Sequence, residues 1–167
     1  MVLTAALELL LTEGAAALTP QRLHTVTGVS RSTVYRHWPT PDAVLGALIE
    51  VAPARDQQGT GDLATDLHHE VDQLCNRLRD KPVGAFLQAL VAASAVHLRH
   101  RYVEDLLAPF HQVLRTSGVA RAAERDYLAA QVVSPLLLDA LLLDRPTART
   151  RAHRTVDEVV ARLQGTR

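Results

Sequence analysis

The apolar positions of this chain fall in helical register almost from end to end. Leu3, Ala6, Leu7, Leu10 and Leu11 mark one face of a helix from Val2 to Glu13, and Gly14 closes it as a C-terminal glycine does. Thr19-Pro20 opens a second helix, with Thr as its cap and Pro at the first helical position. In that helix Leu23 and Val26 are expected to point inward. Gly28 supplies a turn with positive φ, Val29 plugs the turn into the core, and Ser30 caps a third helix anchored by Val34. Pro39 and Pro41 stop the third helix. Thr40 caps a fourth, Asp42 to about Ala52, with Ala43, Val44, Ala47, Leu48 and Val51 apolar.

Pro53 to Asp62, with Gln57, Gln58, Gly59 and Gly61, reads as a loop and the best internal boundary. It divides a domain at 1–52 from one at 62–167. Beyond it, Leu63, Leu67, Val71, Leu74 and Leu78 predict a long amphipathic helix that Lys81-Pro82 breaks. A more apolar helix follows from Val83 to Val96, then one from His97 to Arg115 in which Pro109 predicts a kink or break. Glu124 to Leu143 is apolar nearly all round, so it is expected to be covered on most sides, in part by a second copy of the chain. Ala148 to Leu163 closes the series. The expectation is an all-α protein of nine helices with no convincing strand.

Composition agrees. The chain is 47% hydrophobic but only 4% aromatic, so its core is built from Leu, Val and Ala, as in helical assemblies. Cys75 is the single cysteine. It allows no intrachain disulfide, fits a reducing compartment, and is read as a small buried hydrophobe. No secretory signal is evident, and the longest apolar run, Val132 to Leu143, is interrupted and short of a membrane span; the expected location is the cytoplasm.

Formal net charge is zero, which counts mildly against a nucleic-acid partner. The local distribution outweighs it. Gly14 to Pro41 holds Arg22, Arg31, Arg36, His24 and His37 and no acid. The stretch LTPQRLHTVTGVSRSTVYRHW, Leu18 to Trp38, therefore has two short helices, a tight turn, and a basic, hydroxyl-rich second helix. That is the layout of a helix-turn-helix DNA reader. Arg31 is the first candidate for a base contact, since a guanidinium grips guanine O6 and N7 together. Ser32 is small enough for close approach, and Thr33 and Tyr35 offer hydroxyls to phosphates. Arg36 and His37 continue the exposed face, and Gln21 is placed to reach a base edge. Ser30, Thr19 and Thr40 sit at helix starts, where free N–H groups favour a phosphate. Trp38 is read as core.

With these residues the stretch LTPQRLHTVTGVSRSTVYRHWPTPDAVLGALIE resembles the DNA-binding domain of TetR-family transcriptional regulators. The resemblance covers roughly residues 1–52. It rests on Leu18-Thr19, the Gly28-Val29 turn, the Ser30/Thr33/Tyr35 face, Trp38 and the apolar helix after Pro41. More loosely, the C-terminal part is similar to the family's ligand-binding and dimerisation domain. The resemblance implies a homodimer through helices around 124–143 and 148–163 that binds an operator and is released by a small molecule. Most members are repressors. The sequence departs from the family pattern in starting almost directly at the first helix, in Pro20 and Pro41, and in His24 where a small residue is usual.

By the same resemblance the effector pocket lies between the helices spanning 62–116. Leu74, Cys75, Leu78, Phe86, Leu90 and Phe110 are its candidate walls, and Ser94 and His97 its polar handles; a hydrophobic effector is implied. Ordinary core is the competing reading of these residues. His68-His69, His97 and His100 show no second ligand pattern, and adjacent histidines on a helix point apart, so no metal or other cofactor is expected. Ser94, His97 and Asp72 lack a nucleophile elbow, and no enzyme is expected. The alternative to a regulator is a sensor or interaction protein of the same fold with weak or lost DNA binding.

Overall fold

The computed structural model describes residues 1–51, 59–79, 81–92, 96–141, 143, 145 and 148–165; the side chains of 81–85, 92 and 141 lie outside that description. Among the described residues there are nine α-helices and no strand: α1 (Val2–Glu13), α2 (Pro20–Thr27), α3 (Arg31–His37), α4 (Pro41–Glu50), α5 (Leu63–Arg79), α6 (Lys81–Ala92), α7 (Val96–Thr116), α8 (Ala122–Leu141) and α9 (Arg149–Gly165). A single 3-10 turn, Ala15–Ala17, joins α1 to α2. None of the described helices is long and apolar enough to cross a membrane.

The helices divide into two compact units, Met1–Arg55 with Lys81–Tyr102, and Asp56–Asp80 with Val103–Arg167. The first unit takes in α6 and the opening turns of α7 as well as the N-terminal helices. The reason is apolar area. Phe86, Ala89 and Leu90 of α6 and Leu98 of α7 are buried with Ala6, Leu9 and Leu10 of α1 and Leu45, Leu48 and Ile49 of α4 in one cluster. Burying each of the larger side chains contributes about 1.5–3 kcal/mol.

In the second unit α5 packs against α9 and α8, and α8 against α9. The stripe read from sequence, Leu67, Val71, Leu74 and Leu78, is buried, as are Leu128, Val132, Val133 and Leu136 of α8 and Val156, Val159 and Val160 of α9. Asp66, 7% exposed, ties the entry of α5: it accepts from Thr60 N and Thr60 Oγ1, both at 2.7 Å, and from Gly61 N at 3.0 Å.

Three local expectations change. Pro82 lies inside the first turn of α6 rather than between helices, where its missing N–H costs nothing. α7 runs without a break through Pro109. Val26 is 44% exposed instead of facing inward, because an eight-residue helix buries only a narrow stripe and Pro20 and Leu23 occupy it.

Candidate nucleic-acid interface

Three caps set the spacing of the N-terminal helices. Thr19 Oγ1 accepts from Arg22 N at 3.1 Å, Ser30 Oγ from Thr33 N at 3.2 Å, and Thr40 Oγ1 from Ala43 N at 3.1 Å. Each satisfies an N–H that the helix leaves unpaired. Pro follows Thr19 and Thr40 at the first helical position. Gly28 ends α2 in the left-handed region at φ 69° and donates its N–H to His24 O. A β-carbon in that conformation is strained, so the turn calls for glycine.

α3 shows two distinct faces. Val34 is fully buried and Trp38 packs half-buried against the same core, so this side fixes the helix to α2 and to the core cluster of the first unit. The other side is exposed: Arg31, Ser32, Tyr35, Arg36 and His37, with Thr33 partly so. The Arg31 guanidinium lies 5.3 Å from the Tyr35 ring centroid, within cation–π range. His37 tilts against Trp38, with centroids 5.6 Å apart. Among the described residues neither Arg31 nor Arg36 has a carboxylate partner, so both positive charges face solvent.

The hydroxyls are less free than the sequence suggested. Ser30 Oγ is committed to Thr33 N, to Thr33 Oγ1 at 2.7 Å and to Ser32 Oγ at 3.1 Å. Thr19 and Thr40 serve as caps. Gln21 is exposed near the start of α2. Arg22 belongs to the basic count of this region, but it pairs with Glu13 at 2.7 Å and braces α2 against the end of α1. A second role was not legible in the sequence. His24 Nδ1 lies 2.7 Å from Val29 O, so with a hydrogen on Nδ1 it donates across the turn and links α2 to the residue before the Ser30 cap. Nothing in residue spacing signals a bond from a helix to the carbonyl five residues on.

The eight candidate pocket residues are distributed over both units. Leu74, Cys75, Leu78 and Phe110 are buried in the second unit, and Phe86 and Leu90 in the first. His97 is exposed, and Ser94 lies outside the described residues. The second unit does hold a cleft of about 630 Å³, at the start of α5, the α7–α8 turn and the end of α9, where Asp62, Arg121, Glu124 and Leu163 line it. None of the candidate residues lines that cleft.

The arrangement is therefore a short, capped, basic helix fixed by one buried face and presenting the other to solvent. Such a helix fits the major groove, with side chains near its N-terminal end reaching base edges. No curated protein matches the chain. Residues 2–48, from α1 into α4, match the family described as bacterial regulatory proteins, tetR family, so this N-terminal segment is similar to that family's helix-turn-helix DNA-binding domain.

Proposed function

We propose that the chain is a cytoplasmic repressor that binds a near-palindromic operator as a homodimer and releases it when a small hydrophobic effector binds. The observation that carries the DNA-reading part is the exposed face of α3, where Arg31 and Arg36 have no carboxylate partner. Arg31 reads a base, with Ser32 allowing close approach. Thr33 and Tyr35 hold phosphate, Arg36 and His37 extend the contact, and Gln21 reaches from α2. Thr19, Ser30 and Thr40 hold the helix starts toward phosphate while capping them.

The dimer reading is supported on α8. Leu138 is 47% exposed and Tyr127 56%, and Ser134, Pro135, Leu138 and Leu143 line a groove beside α9. Apolar side chains exposed along one face are what a second copy covers. Two-fold protein symmetry then maps onto a two-fold operator. The effector reading is supported by the family resemblance and by the cleft of about 630 Å³ in the second unit. DNA favours one spacing of the two reading heads and effector another, which couples the two sites.

The test is capture of genomic DNA on the purified full chain beside Arg31→Ala. Enrichment of one palindromic site, lost in the variant, is expected. No enrichment, together with a sedimentation mass of one chain at micromolar concentration, overturns both the operator and the dimer. The zero net charge favours a second reading, a sensor of the same fold with weak DNA binding. A steep fall of DNA affinity with added salt counts against that reading.

A further inference from the structure

His68 on α5 and His153 on α9 meet nitrogen to nitrogen. Their Nδ1 atoms are 2.5 Å apart and the ring planes lie within 13° of parallel. The outer nitrogen of each ring faces a carboxylate: His68 Nε2 is 2.9 Å from Asp157 Oδ1, and His153 Nε2 is 2.9 Å from Asp72 Oδ1. Arg149 Nε stands 3.2 Å from the same Asp72 oxygen. An ionised carboxylate only accepts, so both outer nitrogens carry hydrogen. A neutral imidazole has one N–H. Two neutral rings would thus aim two bare lone pairs at each other across 2.5 Å. A cation between them removes that conflict.

A metal ion does not fit this spacing. Two nitrogens bound to one tetrahedral ion at about 2.0–2.1 Å stand about 3.3 Å apart. Among the described residues no group of three or more His, Cys, Asp or Glu side chains is placed to hold a metal. A proton does fit, as N–H on one ring and acceptor on the other. We propose that His68 and His153 share a single proton between their Nδ1 atoms, a one-proton clasp joining α5 to α9 that opens when the proton is lost and also when a second is added.

The surroundings suit a single positive charge. From α5 the array is faced by Asp72, and from α9 by Asp157 and Arg149. α8, packed against both helices, commits its buried Asp139 to Arg151 of α9. His69 is exposed on α5 beside Gln73. Asp72 is held below the usual carboxylate range, chiefly because it accepts from His153; burial opposes this, and the nearby charges of His153, Arg149 and His68 add to it. It is therefore an ionised acceptor at neutral pH.

The clasp has a signature no lone histidine produces. In the unfolded chain two free imidazoles bind two protons well below about pH 6.5 and none well above it, whereas the closed clasp holds one. Above that pH the unfolded rings bind fewer protons than the folded pair, so stability falls as pH rises. Below it they bind more, so stability falls as pH drops.

Urea unfolding of the full chain is measured from pH 5 to 9 beside a His68→Gln/His153→Gln variant, at one protein concentration. The difference between them is expected to peak near about pH 6.5 and to fall on both sides, by up to tenfold in the folding constant per pH unit. A difference that changes in one direction across the range, or is flat, overturns the proposal. If the variant does not fold, nitrogen NMR of the histidine-labelled wild-type chain decides. Both Nε2 atoms protonated with one proton shared by the two Nδ1 atoms is expected; two fully neutral or two fully charged rings at pH 6.5 overturns it.

Discussion

Ser30 stands where two readings of one hydroxyl make opposite demands. As a phosphate ligand its loss weakens DNA binding; as a cap its loss weakens α3. The structure weighs toward the cap, because Ser30 Oγ already accepts from Thr33 N at 3.2 Å and contacts Thr33 Oγ1 at 2.7 Å. α3 has only seven residues, so it stands on its cap and on the burial of Val34 rather than on its own cooperativity. Replacing a serine cap with alanine costs about 1 kcal/mol, and with glycine only a few tenths. In a chain of this length 1 kcal/mol lowers the melting temperature by about 2–4 °C. Ser30→Ala is therefore expected to melt about 2–4 °C lower, with Ser30→Gly close to wild type. Ser30→Asp keeps the cap and the melting temperature, but its charge repels phosphate and weakens DNA binding. The assay pairs thermal melts with DNA affinity over a range of salt. An unchanged melt for Ser30→Ala, with DNA affinity reduced by a similar factor at every salt concentration, would refute the cap and make the hydroxyl a phosphate ligand.

The other expected outcomes separate reading, folding and assembly. Arg31→Ala leaves the melt unchanged, since its guanidinium touches only Tyr35, but loses about 1–3 kcal/mol of affinity for the selected operator in a gel-shift titration. Asp66→Ala removes an acceptor of three hydrogen bonds and costs about 1.5–3 kcal/mol in urea unfolding, since they go to a charged group. Burial pushes the Asp66 carboxyl up, yet those bonds leave it below its ordinary value. Its contribution is therefore complete above the unfolded carboxylate value of about 3.9, and the gap between wild type and variant closes as pH falls through the lower folded value. Leu138→Asp places a charge in the exposed apolar face of α8 and is expected to shift sedimentation toward the single chain without lowering the melt of the isolated unit.

The sequence by itself determined the helices, most of their caps and the exposed basic face of α3. These are local matters: a cap needs only the residues three along, a turn glycine only its own φ, and a helical stripe only its period. Thr19, Gly28, Ser30 and Thr40 all act within one turn of their own positions, so the order of residues was enough. The exposed Arg31 and the buried Val34 follow from the same period.

Tertiary structure decided what depends on partners distant in the chain. α6 reads in sequence as part of the second domain, but its apolar face finds cover on α1, and no local rule names that partner. Apolar periodicity shows that Leu74, Phe86, Leu90 and Phe110 will be buried and is silent on which of them meet; they divide between two cores. His68 and His153 stand 85 residues apart in sequence, and only the packing of α9 on α5 brings their nitrogens to 2.5 Å. Burial is written in each residue's own chemistry, whereas proton sharing requires two rings and their carboxylates at fixed distances, and only the packed helices set those distances.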